Sequence, residues 1–134
     1  METCMNKFKS FTSIEQSKKL AEILPLESAD MHWKNGISDK YIQCFTPFVS
    51  DDYRSNVDFD YDIPCWSLAS LLDVLPTNLQ IALAINDFQG DRKEKYVIGS
   101  VEHDKYDCYA DNPVDACYEL ILKLHGLKID GNKY

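Results

Sequence analysis

Apolar residues recur along this chain with two different periods, and the switches between them mark out its elements. In the stretch Ile63–Pro76 (IPCWSLASLLDVLP), Leu68, Leu71, Leu72 and Leu75 fall at i, i+3, i+4 and i+7, one apolar stripe of an amphipathic helix. Ser67 stands where an N-cap hydroxyl accepts from a free amide one turn in, and Pro76 cannot continue the helix. A helix near the start is predicted from about Ser13 to Leu24, opened by a capping box of Thr12 with Glu15 or Ser13 with Gln16 and followed by Pro25. Its stripe is Ile14, Ala21 and Leu24, with Leu20 beside it. A last helix opens with Asn112 as N-cap, Pro113 at the first helical position and Asp115 near the positive end of the dipole. Ala116, Cys117, Leu120, Ile121, Leu124 and Leu127 would line its buried side, Glu119 and Lys123 would pair outside, and Gly126 would end it.

Elsewhere the period is two. Val57, Phe59, Tyr61 and Ile63 alternate with Asp58, Asp60 and Asp62, the pattern of a half-buried strand. Leu79, Ile81, Leu83 and Ile85 share one face of a second strand, and the small residues Ala82 and Ala84 suggest that its other face is partly covered. A polar connection containing Gly90 leads to a third strand over Tyr96–Val101, a hairpin pattern. Met31 to Trp33 reads as a short strand before an Asn35-Gly36 turn, and Tyr41 to Phe48 as a strand in which Pro47 favours an edge position or the strand's end. Tyr106 to Tyr109 adds a short last strand. Strands joined by short turns and interspersed with helices predict an α+β fold, a mainly antiparallel sheet with about three helices packed on it. The expectation is a single domain over residues 1–134, with a loose arm at 1–12 and a polar tail at 128–134.

Charge narrows the function classes. The chain carries 22 acidic against 14 basic residues, a net charge of −8, and a polyanion repels phosphate backbones, so nucleic acid is not an expected partner. Residues 51–62 hold five aspartates (Asp51, Asp52, Asp58, Asp60 and Asp62) against Arg54 alone. Such a segment suits a protein partner with a basic surface. The start, METCMNKFKSFTS, lacks the apolar stretch of a secretory signal, and no apolar run is long enough for a membrane span. The expectation is a cytoplasmic protein that makes no membrane contact. Five cysteines, an odd number, then imply free thiols rather than a disulfide framework.

The candidate chemistry is sparse. Asp58, Asp60 and Asp62 match the first three ligand positions of a calcium loop, but the glycine and glutamate that such a loop needs are replaced by Ile63 and Ala69. Cys65 precedes a helix N-terminus, where a thiolate can be stabilised, and would need His32, His103 or His125 as its base. His103, Asp104, Asp107 and Cys108 lie close in sequence without the paired short spacings of zinc sites. No GxGxxG, P-loop, HExxH or GxSxG pattern occurs. The expectation is therefore no catalytic residue, no metal and no cofactor.

Three blocks, EQSKKLAEILPLESADMHW (Glu15–Trp33), IPCWSLASLLDVLP (Ile63–Pro76) and NPVDACYELILKL (Asn112–Leu124), together resemble small uncharacterised proteins of gut anaerobic bacteria and their phages or mobile elements. The resemblance carries over no catalytic residue. Two classes of function follow. One is a non-enzymatic interaction protein, encoded by a phage or mobile element and binding a host protein, for example an anti-defence inhibitor. The other is a small-ligand binder such as a nucleotide-signal sponge, for which Arg54 and Arg92 would be the anion-binding residues.

Overall fold

A computed structural model describes residues 9–37, 43–49, 63–87 and 90–129. Among these the chain forms three α-helices, α1 (Ile14–Ala21), α2 (Leu68–Asp73) and α3 (Pro113–Ile129), and six strands. The strands are β1 (Met31–Ile37), β2 (Gln43–Val49), β3 (Ile63–Cys65), β4 (Ile81–Ile85), β5 (Tyr96–Ser100) and β6 (Cys108–Ala110). All strand pairs are antiparallel, so the fold is α+β as the sequence predicts, but the strands are divided between two sheets, ordered β2-β1-β3 and β4-β5-β6. The chain falls into two compact units, residues 11–70 and residues 1–10 with 71–134, and the division lies inside α2.

In the unit of residues 11–70, α1 is opened by the second of the two predicted capping boxes. The Ser13 hydroxyl accepts from the Gln16 amide at 3.2 Å, and the Gln16 side chain accepts from the Ser13 amide at 3.1 Å. The helix stops at Ala21 rather than Leu24, and its buried residues are Ser17 and Leu20. Ile14, Ala21 and Leu24 are only half-buried, so the buried stripe is rotated from the predicted one and includes a serine. The helix packs on β3. Asn35-Gly36 does not turn but continues β1, where it pairs with Phe45 and Cys44; the ladder outweighs the local turn preference. Pro47 sits in an edge strand, as its missing amide requires. Phe11 and Thr12 do not belong to a loose arm. Phe11 bridges to Ser67 and stands edge-on to Trp33 at 5.6 Å, and Thr12 is fully buried.

In the other unit, α3 packs on β5 and β6. Asn112 caps it as predicted, accepting from the Asp115 amide at 2.8 Å and donating to the Asp115 carboxylate at 2.8 Å. Lys9 reaches the same carboxylate at 2.8 Å, which ties down another part of the expected loose arm. Val114, Ala116, Cys117, Leu120, Ile121 and Leu124 are buried. Gly126 does not end the helix, which runs on to Ile129 and takes in the first residues of the predicted tail. Lys123 donates to the carbonyls of Lys105 and Asp107 instead of pairing with Glu119.

The predicted β4–β5 hairpin is present, with Leu83 opposite Ile98. The turn at 77–80 ends with Gln80 in the left-handed region (φ 52°). Ala82 and Ala84 are exposed, so the second face of β4 is open rather than covered, and Ile85 is 65% exposed at the strand's end. In α2, Leu71 and Leu75 are buried and Leu68 is half-buried, but Leu72 is exposed. At Gly99 an added Cβ would meet the Asp107 carboxylate and lie 3.0 Å from the Asp107 Cα, so the close approach of these two segments favours glycine.

Candidate functional site

Among the described residues, a cluster of hydroxyl, thiol, indole and carboxylate side chains lies in the unit of residues 11–70, where β3 runs through Trp66 into α2. Thr12 is drawn alongside this segment by its amide, which donates to the Trp66 carbonyl at 2.9 Å. Its hydroxyl accepts in return from the Trp66 amide at 3.1 Å and lies 2.7 Å from the Ser17 hydroxyl. Ser17 accepts from the Trp33 indole at 3.2 Å, and the Trp66 indole donates to the Ser28 hydroxyl at 2.9 Å. Trp66 is fully buried and Trp33 half-buried, and each indole N–H keeps a partner.

Cys65 sits fully buried in this cluster. Its thiol donates to the Thr12 carbonyl at 3.6 Å and accepts from the Thr12 hydroxyl at 3.7 Å. Burial pushes the thiol up to about 11, against hydrogen bonds from Thr12 and Ser17 that pull it down, and the charge of Asp30 adds to the rise. A thiol this weakly acidic is neutral at physiological pH and is a poor nucleophile. Desolvation therefore outweighs any help from the helix N-terminus, and the thiol's hydrogen-bond partner is Thr12 rather than a histidine.

Asp30 and Ser67 form the polar end of the cluster. The Ser67 amide donates to Asp30 Oδ1 at 2.9 Å, and the Ser67 hydroxyl donates to Oδ2. That hydroxyl also caps α2, accepting from the Ser70 amide at 3.2 Å. Burial raises the Asp30 carboxyl, but the Ser67 and Ser70 hydrogen bonds outweigh it and hold the group below the usual carboxylate range. A serine bonded to a carboxylate is half of a nucleophile–base arrangement. Asp30, however, is an ionised acceptor of low basicity, and the serine oxygen is committed to the cap. The arrangement extends an N-cap and carries negative charge next to a helix start, where the dipole favours it.

The other predicted candidates are placed as follows. Arg92 is occupied: it grips Glu94 through Nε at 3.2 Å and Nη2 at 2.8 Å, and its guanidinium lies 4.7 Å from the centre of the Tyr109 ring. His103 and Asp107 have different neighbours. The histidine stands edge-on to Tyr106 at 6.2 Å, while the Asp107 carboxylate lies against Gly99. Among the described residues no group of three or more His, Cys, Asp or Glu side chains is placed to hold a metal ion. No helix among them is long and apolar enough to cross a membrane. Asp51, Asp52, Asp58, Asp60, Asp62 and Arg54 lie outside the described residues. Asp30 was not among the residues singled out by sequence, because its partner lies 37 positions away. No protein-family model, no curated protein and no solved structure matches this chain.

Proposed function

We propose that this chain is a non-enzymatic interaction protein whose acidic surface binds a protein partner with a basic face. The observation that carries the reading is the concentration of charge: residues 51–62 hold a net −4, half of the chain's −8 in twelve positions. Like charges so close together repel one another, and a basic partner offsets that cost. The buried cluster supports the non-enzymatic part of the reading. Its thiol is neutral, and its serine and carboxylate are spent on holding a helix start. The partner we envisage is a host protein met by a chain encoded on a phage or mobile element, and an anti-defence inhibitor is one such case.

The test is kinetic. Affinity purification from host lysate supplies the partner, and association is then followed for the wild type and for a variant with Asp58, Asp60 and Asp62 changed to asparagine. Charge steering acts mainly on the on-rate and is screened by salt. The variant should associate markedly more slowly at low ionic strength, and the two rates should converge as salt is added. Equal on-rates at low salt would remove these aspartates from the interface.

A further inference from the structure

We infer that β4 is a self-association edge, at which a second copy of this chain adds its own β4 antiparallel to form a symmetric dimer. The two sheets have four edge strands, and three of them are guarded. β2 carries Pro47, β3 carries Pro64, and β6 is only three residues long between Asp107 and Asp111. Proline, short length and flanking charge are the devices by which edges avoid new partners. β4 has none of them: its sequence is Ile-Ala-Leu-Ala-Ile, without charge or proline.

The ladder shows which backbone groups are free. The Val101 amide donates to the Gln80 carbonyl and the Asn86 amide donates to the Lys95 carbonyl. Even-numbered residues of β4 therefore bond to β5, and the N–H and C=O of Ile81, Leu83 and Ile85 point to the open edge. Among the described residues nothing pairs with them. The exposure of Ala82, Ala84 and Ile85 leaves the strand accessible.

A twofold axis at Leu83 makes this edge complementary to itself. Leu83 then faces Leu83 of the second copy as a hydrogen-bonded pair, Ile81 faces Ile85, and Ala82 faces Ala84. Beyond them Gln80 faces Asn86, and Asp87 faces Leu79, so no acid meets an acid along the seam. The arrangement is an isologous contact, closed after two copies, and it gives a six-stranded sheet ordered β6-β5-β4-β4-β5-β6. A seam of five residues is smaller than the interfaces of permanent complexes, which bury roughly 1,200–2,000 Å². The dimer is therefore a transient one, opposed at low salt by the repulsion between two chains of charge −8. This inference does not depend on the acidic-surface reading.

Sedimentation velocity of the full chain over a concentration series reaching about 1 mM tests it. The mass should rise from monomer to dimer with concentration, and more steeply as salt screens the like charges. Changing Ala82 and Ala84, both exposed, to lysine should abolish the rise while the circular dichroism spectrum stays unchanged. The register has its own test. Opposed non-hydrogen-bonded Cα atoms lie about 4.5 Å apart, within the ~4.4–6.8 Å span of a disulfide. A mixture of the Ala82→Cys and Ala84→Cys variants should therefore cross-link on mild oxidation beyond the level of the wild type, and Ala82→Cys by itself should not. A monomer at every concentration and salt, or a dimer that survives the lysine changes, would overturn the inference. Cross-linking of Ala82→Cys with itself would overturn the register.

Discussion

Asp30 shows how one side chain can tie separate parts of the fold together. It accepts from both the amide and the hydroxyl of Ser67, and Ser67 in turn caps α2. Its folded-state acidity is greater than that of the free carboxyl, whose value is 3.8. A group with a depressed folded value contributes stability that is present above the unfolded value and is lost as pH falls through the folded one. Asp30→Ala should therefore cost about 1.5–3 kcal/mol at neutral pH, the range for hydrogen bonds to a charged group. Below 3.8 the gap to wild type should narrow as the wild-type carboxyl protonates. Urea titrations of both proteins at neutral and strongly acidic pH check this, and a gap independent of pH would assign the loss to packing. The Ser67 cap was legible from its place before an apolar stripe. Asp30 was not, because nothing in a local pattern reports which carboxylate folding brings to a helix start.

At the scale of elements, α3 is the part most fully written in local sequence. Asn112, Pro113 and Asp115 occupy the positions that a capped helix start prefers, and the structure uses Asn112 both as acceptor and as donor. Because Asn112 is almost wholly buried, at 1% exposure, water cannot replace the bonds it makes. Asn112→Ala should cost about 1–2 kcal/mol, read as a lower denaturation midpoint at unchanged slope; an unmoved midpoint would refute the cap. The helix end was less legible. Gly126 is a frequent stop signal, yet three more residues follow it in the helix, since glycine permits the left-handed conformation without demanding it. β1 is a parallel case: Asn35-Gly36 favours a turn in isolation, but the ladder with β2 holds it extended.

For the molecule as a whole, the odd cysteine count led to free thiols, and Cys65, Cys108 and Cys117 are unpaired. Burial raises all three, Cys117 up to about 12. Thiol titration of the denatured, unreduced protein should find all five cysteines reactive. In the native protein Cys65 and Cys117 should react with iodoacetamide far more slowly than when unfolded, because both are inaccessible and neutral. Fewer than five groups in the denatured titration would reveal a disulfide, and fast native labelling of Cys65 or Cys117 would contradict their burial.

By itself the sequence determined the α+β class, the three helices found among the described residues, the Asn112 cap and the β4–β5 hairpin, and it narrowed the first cap to two boxes and Pro47 to an edge or a strand end. Each of these rests on preferences acting over a few neighbouring residues, so a short window contains the physical cause. Tertiary structure alone decided the pairing of Thr12 with Cys65, 53 positions apart, and of Lys9 with Asp115, 106 positions apart. It also divided the strands between two sheets and left Leu72, Ile85 and both alanines of β4 exposed. The periodic pattern says which residues share a face. Which face is covered depends on what long-range packing brings against it, and that is a property of the closed chain rather than of any segment.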